Sequence, residues 1–177
     1  MFTRSLLIAF VFSICSVYAQ HSFIGAEACG MCHKTEKQGQ QLSIWQNSKH
    51  AQAYQILLTE KADQVAKEKG FLTKAVETAE CLKCHVSGNN VDASLLDKKF
   101  KIEDGVQCES CHGAGSDYKS IKIMKDREQS VANGMKHFEN KQDYCIGCHN
   151  AESPTYVEFK FDEMWEKIKH PVPEGKE

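Results

Sequence analysis

Cysteine and histidine stand in one pattern four times in this chain: Cys29-Gly30-Met31-Cys32-His33, Cys81-Leu82-Lys83-Cys84-His85, Cys108-Glu109-Ser110-Cys111-His112 and Cys145-Ile146-Gly147-Cys148-His149. Each is C-x-x-C-H, the attachment signature of c-type haem. Two thiols three positions apart lie on one side of a helical turn, where both can add to the vinyl groups of one porphyrin. The next imidazole then projects toward the iron from the same side as its proximal ligand. Cys29, Cys32, Cys81, Cys84, Cys108, Cys111, Cys145 and Cys148 are therefore read as covalent attachment points. His33, His85, His112 and His149 are read as proximal ligands, giving four c-type haems. Zinc ribbons also use C-x-x-C pairs, but they do not require a histidine after every pair. A thioredoxin-like redox pair occurs once and within a βαβ pattern, which is absent. A disulfide framework gives no reason for four histidines at one offset.

The ninth cysteine, Cys15, lies in a segment read as a leader. Residues 1–4 are a short basic start, 5–16 an apolar run, and Val17-Tyr18-Ala19 supplies small residues at a cleavage site. The run is too short to span a bilayer, so a secretory signal cleaved after Ala19 is expected, leaving one domain over 20–177 and a periplasmic location. A lipoprotein reading needs a small residue before Cys15, and Ile14 is not small. No membrane span is expected. The formal net charge of −2 argues against nucleic acid, since phosphate contacts need clustered Lys and Arg.

Leu, Ile, Val and Phe make up only 29 of residues 20–177. Such a share is low for a globular domain, while the net charge is too small for a disordered one. Four macrocycles would supply the missing apolar surface. A chain of this length has a radius of gyration of about 15 Å, so four haems within it must lie nearly edge to edge. Electron transfer along a row follows from that crowding.

Four further histidines remain, His21, His50, His137 and His170, and they decide between carrier and enzyme. Six-coordinate bis-histidine iron suits electron transfer, whereas an open iron binds small molecules. His50 lies in Trp45-Gln46-Asn47-Ser48-Lys49-His50, read as a helical segment shared by an aromatic and a histidine. His170 follows a helix over 161–169 and directly precedes Pro171. His21 is read as frayed near the start of the mature chain, and His137 as a loop residue. Met124 is a softer alternative ligand that would raise the potential. All five are candidate distal ligands.

The elements that must position these groups are short. Residues 27–69 are rich in helix formers, broken at Gly39 and at Asn47-Ser48, restarted at Thr59 and stopped at Gly70. The charges of 60–69 are read as a solvated face. Short helices are expected before each later motif, with two more over 126–133 and 161–169. The second of these carries Phe161, Met164, Trp165 and Ile168 on one stripe, facing a haem. No sustained alternation argues for a sheet. The expected fold is mainly α: a compact multihaem cytochrome with short helices and loops wrapped around four closely packed haems.

These residues resemble the tetrahaem cytochrome c-554 family. The likeness is carried by the first motif followed by Trp45…Ser48-Lys49-His50-Ala51, and by Glu80-Cys81-Leu82-Lys83-Cys84-His85-Val86. It continues through Gly105-Val106-Gln107-Cys108-Glu109-Ser110-Cys111-His112-Gly113-Ala114-Gly115 to Phe159-Lys160-Phe161-Asp162-Glu163-Met164. The resemblance implies a mainly helical fold, haems in stacked pairs and a periplasmic electron carrier. It also implies three bis-histidine irons and one five-coordinate iron at the second motif. His50 matches the distal ligand that follows the first motif, and His170 approximately matches the C-terminal one. The family's third distal histidine lies soon after the third motif, but 113–136 here contains none. His21, His137 or Met124 replaces it, or two irons stay open. The partners implied are redox proteins, with a donor of the hydroxylamine-oxidoreductase-like or quinol-oxidising type. Two other functions compete: a small-molecule reductase, for nitric oxide or a similar ligand, at the open iron, and a wire subunit of a larger respiratory assembly.

Overall fold

The computed structural model describes residues 20–170. Residues 1–19, read from the sequence as a leader, and Pro171 lie outside them. Within this range the chain folds into short helices: α1 (Ala26–Gly30), α2 (Gln41–Gln46), α3 (Ala53–Leu57), α4 (Glu60–Glu68) and α5 (Ala79–His85), then α6 (Cys108–His112), α7 (Ile121–Met124), α8 (Arg127–Ala132), α9 (Lys141–Cys145) and α10 (Phe161–Ile168). The strand-like pairing among the described residues is one parallel bridge between Phe23 and Leu96. The mainly helical expectation therefore holds. No described helix is long and apolar enough to cross a membrane.

Local sequence explains where the helices begin and end. Thr59 opens α4 by accepting from the Ala62 N–H, and Asp126 opens α8 by accepting from Gln129. Both satisfy a backbone donor that a helix start leaves orphaned. Gly39 closes the short turn before α2 at φ 97°, and Gly70 follows α4 at φ 86°. The break expected at Asn47-Ser48 forms, and the helical segment read through His50 does not. α2 ends at Gln46, where the Asn47 side chain caps the Ser43 carbonyl at 2.8 Å, and His50 sits in the turn between α2 and α3. The expectation about His21 is also corrected. The segment that carries it is pinned, with Ser22 and Ser116 exchanging two hydrogen bonds and Phe23 bonded to Leu95 and Asp97.

The interior is thin. Eight apolar residues are buried among those described, and four of them are alanines. A small cluster of Leu57, Ala66 and Ala75 joins α3, α4 and the loop before α5. Two long polar side chains at the third motif are almost fully buried: Gln107, just before it, at 2% exposure and Glu109 at 1%.

Candidate haem-binding site

The four motifs are not built alike. The second and third lie wholly on helices, α5 and α6, whereas the first and fourth start in α1 and α9 and finish in a turn. The i→i−4 bond survives in both turns, from His33 to Cys29 at 3.1 Å and from His149 to Cys145 at 3.0 Å. In every case the histidine is thus held about one helical turn beyond its first cysteine. Helices were expected before the later motifs: α9 does run up to the fourth, whereas the second and third motifs lie within α5 and α6 themselves.

None of the eight described cysteines forms a disulfide, and their neighbours arrange the motifs in a row. Cys29 of the first motif is a hydrogen-bond neighbour of Cys108 in the third. Cys111 feels Cys145 of the fourth motif, and Cys148 is a hydrogen-bond neighbour of Cys84 in the second. The order is first, third, fourth, second, which differs from the order along the chain. Burial pushes the Cys81, Cys111 and Cys145 thiols up, and Cys148 up to about 11. Among the described residues no cluster of three or more His, Cys, Asp or Glu gathers as a bare metal-ion site would require.

Two candidate distal histidines face proximal ones. The ring centroids of His50 and His149 lie 6.0 Å apart with planes tilted 58°, and those of His112 and His170 lie 5.7 Å apart at 56°. Such pairs are too far apart to stack. Two imidazoles bound end-on at about 2 Å from one metal have centroids about 6 Å apart, so the spacing fits a single iron between each pair. Burial and the neighbouring imidazoles His170 and His33 push His112 down to about 4. Burial also lowers His50 and His149. All three are neutral near pH 7, the state in which imidazole ligates metal.

Backbone packing sets these rings. The His50 carbonyl accepts from the Val106 N–H at 3.0 Å, and the Trp45 indole donates to the Val106 carbonyl at 2.8 Å. The turn carrying His50 is thereby fastened to the segment leading into the third motif. His85 Nδ1 lies 2.9 Å from the Ala53 carbonyl, and His170 Nδ1 lies 3.0 Å from the Ile168 carbonyl. A carbonyl can only accept, so each Nδ1 carries the proton and leaves the Nε2 lone pair for a metal. Phe159 stacks on His149 at 4.7 Å. On α10, Phe161, Met164, Trp165 and Ile168 share one half-buried face while the charged residues between them are exposed. Met31 and Val157 remain 70% and 79% exposed on the protein alone. A chain with so little core and so much open apolar surface fits large flat apolar groups seated between its elements.

The other candidates are placed as follows. His137 is exposed, with Nδ1 2.7 Å from the Arg127 guanidinium. Met124 ends α7, half-buried. His21 is bonded through Nδ1 to Asp117 at 2.7 Å. In the aromatic contacts among the described residues, no histidine ring pairs with His33 or His85.

The sequence reading gave no role to Gln107 and Glu109, which join the first and third motifs. Glu109 accepts from the N–H groups of Ile24, Gly25 and Gly115, and Gln107 accepts from Ala26 and donates to Lys101. Burial pushes the Glu109 carboxyl up, and the three backbone donors oppose that shift. One signal was available: the residue after the first cysteine is Gly, Leu or Ile in the other motifs and Glu here.

Fold and site together define a multihaem c-type cytochrome that acts in electron transfer, and covalently bound haem and redox partners come with that class. The family model described as cytochrome c554 and c-prime matches residues 28–113. Cytochrome c-554 of Nitrosomonas europaea is 27% identical, the match covering 87% of this chain and 76% of that protein. The solved structure of the reduced state of cytochrome c554 from Nitrosomonas europaea shares the fold, with a TM-score of 0.60 at 24% identity over 89% of this chain and 90% of that one. The chain thus resembles the cytochrome c-554 family in sequence and in fold alike.

Proposed function

We propose that the chain is a periplasmic tetrahaem electron carrier, exported by a leader over residues 1–19 and forming one domain over 20–177. The observation that carries this reading is the pair of facing imidazole couples, His50 with His149 and His112 with His170, on a row of four attachment motifs. When bound, the haems supply reversible one-electron chemistry at iron. The chain's residues do the rest. The eight motif cysteines tether, and His33, His85, His112 and His149 ligate from the proximal side. His50 and His170 close the irons of the fourth and third motifs, which favours electron transfer over ligand chemistry. Burial and the neighbouring charges tune the potentials. The mildly acidic surface suits weak, transient docking on a basic patch of a partner, and a donor of the hydroxylamine-oxidoreductase-like or quinol-oxidising type fits that role.

The test is a haem count on the purified holoprotein with a reductive titration. Four haems per chain and reversible uptake of four electrons are expected; a smaller count overturns the tetrahaem reading. A second reading, small-molecule reduction at the second motif, is favoured by one observation: His85 is fixed by the Ala53 carbonyl and, among the described residues, no histidine ring pairs with it. Carbon monoxide added after reduction should then shift one haem spectrum. No shift removes the reductase reading and leaves the carrier.

A further inference from the structure

Among the described residues the third and fourth motifs have facing histidines, the first and second do not, and two histidines, His21 and His137, are left over. The row order restricts where they can act. His21 is held against the loop after the third motif, through Asp117 and the Ser22–Ser116 pair. The next residue in that loop, Tyr118, donates to the Gly113 carbonyl at 2.9 Å; burial pushes its phenol up, and Cys29, Glu109 and Cys108 lie close enough to add to that shift. His21 therefore sits where the first and third motifs meet, at the opposite end of the row from the second. Since His170 already faces His112, the centre left for His21 is the first.

Protonation separates the two spare histidines. The Asp117 carboxylate is exposed and lies 2.7 Å from His21 Nδ1, and a carboxylate only accepts. His21 therefore carries its proton on Nδ1 and presents a free lone pair on Nε2, like His85 and His170 with their carbonyl partners. A guanidinium only donates. Arg127 thus makes His137 Nδ1 the acceptor, which puts the proton of the neutral ring on Nε2. His21 is prepared as a metal ligand and His137 is prepared against it. The backbone is shaped for the ring as well. Gly134 adopts φ +103°, and a Cβ there would meet His21 Cδ2 at 2.6 Å.

We infer that His21, oriented by Asp117, is the distal ligand of the haem carried by the first motif. The N-terminal segment then replaces the ligand that the stretch after the third motif does not contain, and the second motif alone keeps an open iron. The inference rests on the tetrahaem reading above, and the haem count keeps the two apart.

Electron paramagnetic resonance and magnetic circular dichroism of the ferric holoprotein, with haem counted on each sample, provide the test. His21→Ala should convert one low-spin centre to high-spin relative to the parent protein, and added imidazole should restore it. His137→Ala should match the parent. Asp117→Ala should keep four haems but shift the low-spin signal and raise the potential of one centre, because the ring loses its basic partner. If His21→Ala loses haem, His21→Met provides the readout through the red charge-transfer band of a histidine–methionine centre. A His21 variant that keeps four haems and the parent's spectrum overturns the inference, as does conversion by His137→Ala. Fewer than four haems in the parent protein overturns the tetrahaem reading instead.

Discussion

Residues 20–118 and residues 139–170 are held together in different ways. The first region buries Gln107 and Glu109 against the N–H groups of 24–26 and 115, ties Ser87 to the Gln107 N–H, and packs Leu57, Ala66 and Ala75 into a small apolar cluster. The second region contains no buried residue. It meets the rest of the chain through the exposed Lys83–Glu152 pair, the Tyr144 hydroxyl on the Ser110 carbonyl, and the neighbours of Cys145, Cys148, His149 and His170. One end carries its own hydrogen-bonded framework, while the other buries no residue of its own and would rely on bound haem for an apolar interior.

Removing the fourth attachment site should test this most severely. With Cys145 and Cys148 both changed to Ser, limited proteolysis should cut within 139–170 while a fragment spanning 20–118 stays resistant. Equal loss of both regions would mean that the first depends on the haems just as much. Glu109→Ala comes next in size. It leaves three buried N–H groups without an acceptor, a loss of about 3 kcal/mol, read as a lower denaturation midpoint with separation of the first and third motifs. Glu109→Gln keeps an acceptor oxygen and should recover part of that loss. The smallest effect is expected from Thr59→Ala, which removes the cap of α4 and should cost about 1 kcal/mol with no change in any haem spectrum. A spectral change there would tie α4 to the haems and blur the contrast between the regions.

Much of this contrast could be read from local sequence, and some of it could not. The Thr59 and Asp126 caps, the Gly39 and Gly70 stops and the stripe on α10 are short-range features, and each stands where the sequence placed it. The break at Asn47-Ser48 was legible, yet His50 was read on a helical segment, because local sequence does not register that Trp45 is drawn to Val106. His21 was read as frayed for a similar reason. Its anchors, Ser116 and Asp117, lie more than ninety residues away, and no local pattern announces them.

The sequence by itself determined that this is a mainly helical c-type cytochrome. Thiol and imidazole spacing within five residues is fixed by covalent and helical geometry, and the shortage of aliphatic residues calls for apolar cofactors. Only the tertiary structure decided the order of the motifs, the pairing of His50 with His149 and of His112 with His170, and the acceptor or donor beside each Nδ1. Those depend on contacts between segments tens of residues apart, where the proton of an imidazole follows whatever group the fold brings to it.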